Sequence, residues 1–385
     1  MTRRWIGVIL ALCASWQWGT AQPTGRRMIH PGMAQTAPEL DFLKAKIAAG
    51  AEPWKTYFEA LLASPEASPD HTPRPIRMIN VGFYSHPDIG AGDFKRDGSA
   101  AYTLALRYYL SRDKAAGDAA IRILNAWSQT LDSVTGDNRK LELGIGGVMF
   151  LNAAEILRYA DRDWKQSDQD AFRKMILNVW YPVIEDFMPG YNGNWDAAIC
   201  QTIECIGIFT DRRDIFLSAF NHLKTGETNG AIDNYFNTWG QCQESGRDQG
   251  HAQMGLGFLT VAAQIAWNQG YDLFSAYDNR LALGYEYTAS YMLGNDVRYV
   301  RYTNFRGKQV FGDSISAKGR GHFSPIYERT YHHYHDVMGM EMPFTRQALE
   351  KSRPEGASDL FLPWASLTSR VPSYGTKPGP PGGNN

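Results

Sequence analysis

Apolar side chains recur at three- and four-residue intervals along most of this chain, the spacing that lines one face of an α-helix. A first stripe opens at Ala37-Pro38-Glu39-Leu40 and runs through Phe42, Leu43 and Ile47; Trp54, Tyr57, Phe58, Leu61 and Leu62 make the next. The pattern lapses from Ser64 to about Phe94, a stretch rich in Pro, His and Gly whose length points to a functional loop. It resumes after Lys95-Arg96-Asp97-Gly98, read as the cap of a helix carrying Tyr102, Leu106 and Tyr109. The periodicity then predicts helices over 114–131, 141–160, 166–187, 195–209, 213–223, 246–267, 271–292 and 325–337, with a short one near 345–351. Strand signals are nearly absent, the best being a short hairpin within 297–310. About a dozen amphipathic helices, with short joins and no linker between domains, predict an all-α fold. The expected form is a single (α/α) toroid, an incomplete barrel with long polar loops at one end.

The chain ends narrow the setting. Thr2-Arg3-Arg4, a largely apolar run over 5–16 and the small residues Gly19-Thr20-Ala21 predict a secretory signal over 1–21, hence a secreted or periplasmic protein. The toroid domain is expected over 22–371, and the Pro- and Gly-rich stretch 372–385 as a disordered tail. No other stretch is long enough to span a bilayer. Once Cys13 leaves with the signal, Cys200, Cys205 and Cys242 remain, an odd number without metal-binding spacing. They read as small buried residues, with a pairing of Cys242 to one of the others left open. Thirty-nine basic against 40 acidic residues, a net charge of -1, give no pull toward nucleic acid. No cofactor is expected, and oligomeric state is not legible.

Three polar constellations interrupt the helical pattern. The first is Tyr191-Asn192-Gly193-Asn194-Trp195, which leads straight into a helix. Asn194 there serves either as a helix cap or as an amide aimed at a negative ligand group. The second runs from Trp239 to Trp267, where Gln241, Gln243, Glu244, Arg247, Asp248, Gln249 and His251 feed into an apolar helix with small residues at Gly255, Gly257, Ala262 and Ala263. His251 sits where the positive end of a helix dipole keeps an imidazole neutral and basic; Glu244 and Asp248 read as capping or ion-pair residues. The third is Lys318-Gly319-Arg320-Gly321 before Pro325-Ile326-Tyr327-Glu328 and Tyr331-His332-His333-Tyr334-His335. Tyr327, Tyr331 and Tyr334 share one helix side, Arg320 suits a carboxylate clamp, and the three histidines lack metal-ligand spacing.

Asn194-Trp195 before a helix, the QESGRDQGH stretch ending at His251, Gly294-Asn295-Asp296-Val297, and Arg320-Gly321 with Tyr327 together resemble the alginate lyase domain family. His30-Pro31-Gly32 and Lys95-Arg96-Asp97-Gly98 are similar to it too, so the likeness runs from about His30 to Tyr334. Members are secreted polysaccharide lyases with an α/α-toroid fold. The resemblance implies β-elimination on a 1,4-linked polyuronate such as alginate, polymannuronate or glucuronan, an anionic polysaccharide partner. It implies Asn194 and Arg320 as neutralisers of the substrate carboxylate. Tyr327 is then the acid, and for one sugar stereochemistry also the base; His251 is the base for the other, or a further neutraliser. Familiar members carry Asn-His where this chain has Asn194-Trp195, so the histidine is expected from His251. Arginines at Arg298 and Arg301 replace prolines around Tyr299, and Tyr302 is the reserve phenol. Lys95, Arg96, Trp127, Trp195, Trp239, Gln241 and Arg247 are expected substrate contacts. The rival readings are an inverting glycoside hydrolase using two of Asp97, Glu244 and Asp248, and a non-catalytic glycan-binding protein.

Overall fold

The computed structural model describes residues 27–160, 164–302 and 311–372. The opening helix, α1 (Ala37–Ala48), begins at a capping box in which Glu39 accepts the Thr36 amide at 2.7 Å. α2 (Trp54–Ala63) folds back on it. The stretch expected as an irregular loop then contains β1 (Met78–Val81) and β2 (Asp88–Ile89). These join β3 (Ser133–Thr135) in a small sheet of order β2-β1-β3, antiparallel on one side and parallel on the other. Only Ile79 and Val81 of β1 face inward, too few alternations for periodicity to register.

α3 (Ala91–Ser111) starts earlier than the sequence suggests, because Asp88 accepts the amides of Ala91 and Gly92 at 2.9 and 3.2 Å. Lys95 to Gly98 therefore lie inside the helix rather than capping it. α4 (Lys114–Thr130) is capped by Asp113, and α5 (Arg139–Tyr159) follows β3. α6 (Gln166–Met175) continues through a π turn, Ile176–Trp180, into α7 (Tyr181–Ile184). Next come α8 (Gly193–Phe209), α9 (Arg213–Thr225), α10 (Ile232–Tyr235) and α11 (Gln249–Asn268). α12 (Ala276–Met292) opens with a left-handed turn at Tyr277, Asp278 and Asn279. α13 (Tyr327–Tyr331), prolonged by a π turn over His332–Val337, α14 (Pro343–Ser352) and α15 (Ala365–Thr368) complete the described chain.

Packing makes these helices a ring. α3 lies on α5, α5 on α8, α8 on α11, α11 on α13, α13 on α15, α15 on α2, α2 on α1, and α1 on α3 again; α4, α9, α12 and α14 back them from outside. The (α/α) toroid expected from the sequence is what forms. Small residues set its close crossings. A Cβ on Gly144 would stand 2.6 Å from the backbone of Ala198, so α5 and α8 touch main chain to main chain. Gly255 leaves room for the Tyr235 phenol, not for a neighbouring helix. Phe94, Trp127, Phe150 and Trp180 interlock between α3, α4 and α5, their rings edge-on or stacked at 4.9–6.0 Å; each such burial contributes ~1.5–3 kcal/mol. Opposite the sheet, the segment 29–36 straps the ring. Gln269 donates to the carbonyls of Ile29 and Gly32 at 3.0 and 2.6 Å, Asn268 to Met33 at 2.7 Å, and Asn152 accepts the Ala34 amide at 3.0 Å.

Cys200, Cys205 and Cys242 are free and buried, so the pairing left open for Cys242 does not form; its sulfur rests 3.5 Å from Ser245 Oγ. No strand forms over 297–302, and the rest of the expected hairpin lies outside the described residues, as do the signal segment and the tail from 373. No helix among the described residues is long and apolar enough to cross a membrane.

Candidate active site

A cleft of about 310 Å³ opens where the N-terminal ends of α5, α8 and α11 and the second turn of α3 converge. The positive dipole ends of these helices make such a mouth favourable for anions. The residues between β1 and β2 form its rim, where Tyr84 is 81% exposed with φ 52°.

Asn194, in the first turn of α8, is fully buried in the cleft wall, and neither atom of its amide has a hydrogen-bond partner among the described residues. Its backbone is fixed from both sides: Gly193 donates to Gln243 at 3.0 Å, and Asn229 donates to the Tyr191 carbonyl at 2.6 Å. Leaving a buried amide unsatisfied costs about 1–3 kcal/mol, a cost folded proteins tolerate where a ligand supplies the missing bonds. Asn194 is not the helix cap; Asn192 holds that position.

Asp248 is the N-cap of α11 and does two things at once. Its Oδ1 accepts the His251 amide at 2.8 Å, and its two carboxylate oxygens lie 2.9 and 2.8 Å from the His251 ring Nδ1. Burial pushes the Asp248 carboxyl up, but the hydrogen bonds from His251 and the charges of His251 and Arg247 outweigh it and hold the pKa at about 2. An ionised carboxylate on Nδ1–H leaves Nε2 of this half-buried imidazole with its lone pair, the tautomer a general base needs. Arg247 lines the same wall, its Nη1 3.2 Å from Glu244 Oε1. Glu244 is fully buried behind it. Burial pushes its carboxyl up, His251 and Arg247 oppose that, and Tyr235 donates to it at 3.0 Å.

Tyr191, half-buried, and Trp195 stand side by side in the cleft with ring centroids 5.0 Å apart. Lys95 enters from α3 and meets Glu142 of α5 at 2.9 Å. Of the residues expected at the site, the fold thus gathers Asn194, His251, Arg247, Lys95 and Trp195 into one cleft.

The others go elsewhere. Tyr327, expected as the acid, is fully buried in the ring, its hydroxyl donating to Gln253 at 3.0 Å and its ring edge-on to Tyr285. A phenol closed off from solvent has no route to a polymer; Tyr327 and Tyr334 pack in the core, and Tyr331 lies half-buried at its edge against His335. Arg320 turns to the C-terminal end of α12, donating to the carbonyls of Tyr291 and Asn295 at 2.8 and 2.9 Å, where the helix dipole favours a cation. Tyr302 donates to the Asn234 carbonyl, and Gln241 is buried with its amide clasping the backbone of Val300. Trp239 lies under the Arg298 guanidinium, 4.1 Å from the ring centre. Arg96 is held by Asp93 and Asp97, and Trp127 donates to Asp97 from the core. His333 is stacked on Phe274, its pKa lowered by burial and by His332 to about 3; His332 and His335 both pair with Asp336. Sequence reasoning gave no role to Tyr191, Tyr84 or Glu142; the tyrosine beside Asn192 was the one available signal.

The ring of helices is that of the α/α-toroid class. A family model described as alginate lyase matches residues 87–298, more than half of the chain. The chain belongs to the alginate lyase family and is a polysaccharide lyase. No curated protein matches it. Among solved structures it is similar to alginate lyase A1-III from Sphingomonas species A1, at 12% identity and a TM-score of 0.66 over 90% of this chain and 98% of that one. A form of A1-III complexed with a tetrasaccharide matches at 13% identity and a TM-score of 0.63, covering 87% and 94%. An alginate lyase from Bacteroides ovatus matches at 14% identity and a TM-score of 0.54, covering 69% and 84%. At these identities the likeness is one of fold.

Proposed function

We propose that this lyase cleaves a 1,4-linked polyuronate by β-elimination in the cleft, with alginate the first polymer to test. Removing the C5 proton of a uronate places further negative charge beside its carboxylate, so the carboxylate must be neutralised first. The Asn194 amide and the Arg247 guanidinium take that role, Arg247 standing where Arg320 was expected. His251 Nε2 takes the C5 proton, the electron pair forms the C4–C5 double bond, and the C4–O4 bond breaks. The Tyr191 phenol gives its proton to the departing O4 and recovers one through solvent from His251. The single observation that carries this reading is the fully buried, unpartnered amide of Asn194 in the same wall as an imidazole oriented by Asp248.

The hydrolase alternative loses its carboxyl pair. Asp97 is occupied by His71, the Arg74 amide, Trp127 and Arg96, Glu244 is sealed behind Arg247, and Asp248 holds His251. Ultraviolet absorbance during digestion of polymannuronate, polyguluronate and glucuronan tests the reading. An unsaturated product from at least one of them is expected. Chain shortening without absorbance points to hydrolysis, and binding without shortening to a glycan-binding protein.

Tyr327→Phe is expected to leave kcat within about twofold, because the phenol is fully buried and does not line the cleft. It should cost about 1 kcal/mol of stability through the lost bond to Gln253. A collapse of kcat in a folded Tyr327→Phe protein would return the acid role to that residue.

A further inference from the structure

At the strap end of the ring, α11, α13 with its π turn, and α15 meet the segment 29–36 around a cavity of about 20 Å³, room for one water or one monatomic ion. Gln264 and Trp267 of its wall lie roughly 20 Å along α11 from His251, at 1.5 Å per residue. Arg329 also lines it. This buried guanidinium forms no ion pair and no side-chain hydrogen bond among the described residues, and its Nη2 is sealed from solvent. Two more buried polar atoms without a partner among those residues, His333 Nε2 and Ser369 Oγ, belong to the same wall. A guanidinium stays protonated when buried, and an uncompensated interior charge is costly.

The titratable groups facing Arg329 do not cancel it at mildly acid pH. On α1, Glu39 spends one oxygen on the Thr36 amide and hydroxyl at 2.7 and 3.0 Å. Burial pushes its carboxyl up to about 7, against those bonds and the Arg329 charge. Glu355 accepts the amides of Tyr327 and Glu328 at 2.6 and 3.0 Å, and burial pushes it to about 7 as well. Burial raises the phenols of Tyr102 and Tyr285, which stay neutral. His333 is kept neutral by burial and by His332, while His332 and His335 pair with Asp336. Below about pH 7 both carboxyls therefore carry protons, and Arg329 has no countercharge among the described residues.

We propose that this cavity is a binding site for a monatomic anion of the halide class, chloride in ordinary solution, with Arg329 as its cation and Ser369 and His333 as neutral donors. The ion pins α13 and α15 to the segment 29–36 and so helps close the ring. The space excludes a phosphate or a sugar acid, so the site is separate from substrate binding.

Thermal melts of the whole chain at constant ionic strength, with chloride replacing methanesulfonate, test this. At about pH 6 the melting temperature is expected to rise saturably by ~2 °C or more between 1 and 200 mM chloride, because the ion binds the folded state alone. At about pH 8, with Glu39 and Glu355 ionised, that rise should fall by half or more. Arg329→Met should abolish the response. Ser369→Ala should raise the chloride midpoint threefold or more, and it decides if Arg329→Met does not fold. A bromide-soaked crystal at the lower pH should show an anomalous peak beside Arg329. A flat response at both pH values, a response unchanged in either variant, or water alone beside Arg329 overturns the proposal. Lyase activity takes no part in these readouts, so the anion site and β-elimination stand or fall separately.

Discussion

Replacing His251 by alanine should lower turnover on the best polyuronate by about 10²–10⁴-fold, the range for a lost general base, with the fold retained. The imidazole is half-exposed and holds nothing but Asp248, and the α11 cap survives because Asp248 accepts the backbone amide of residue 251, which alanine keeps. Initial rates of absorbance change, with a circular dichroism melt on the same preparation, measure both quantities. A companion variant, Asp248→Asn, separates orientation from presence: it leaves the ring but removes the anion on Nδ1, so a smaller loss of kcat is expected. Activity of His251→Ala within tenfold of the native enzyme would move the base elsewhere.

Asn194→Ala should move activity and stability in opposite directions. Losing one preorganised donor to a developing anion costs about 10²–10³ in kcat. The same change removes a buried amide that has no partner in the free protein, so the melting temperature should stay level or rise despite the small cavity, as at other sites strained for function. A capping or packing asparagine gives the reverse result, a falling melting temperature with activity intact. Thermal melts and kcat on the same variant therefore distinguish the two roles without reference to substrate identity.

The ring was legible because its helices are long and apolar, with one regular apolar face in α4 and α9 and burial on nearly every side in α8 and α11. What stayed hidden was short or local. β1 buries two side chains, and the true start of α3 depends on Asp88 reaching back to two amides. At the site, the residues in the first two turns of α8 and α11 could be read, since a helix start fixes the direction of its first side chains. Tyr327 and Arg320 were misplaced for a related reason. A tyrosine stripe and an arginine before a helix look the same in sequence whether they face a groove or a core. Only the packing of α13 against α11 and α14 shows that this one faces inward. Tyr191 has only its place beside Asn192 to announce it; its role comes from what the ring places opposite it.

The strap at 29–36 has a practical side. Because residues 29–34 are the buckle that joins the far ends of α5 and α11, an affinity handle fused directly to residue 29 competes with the enzyme's own fastening. Handles and carrier proteins belong upstream of it with a spacer, so that this segment can seat before the belt of helices is asked to hold its shape around a polymer.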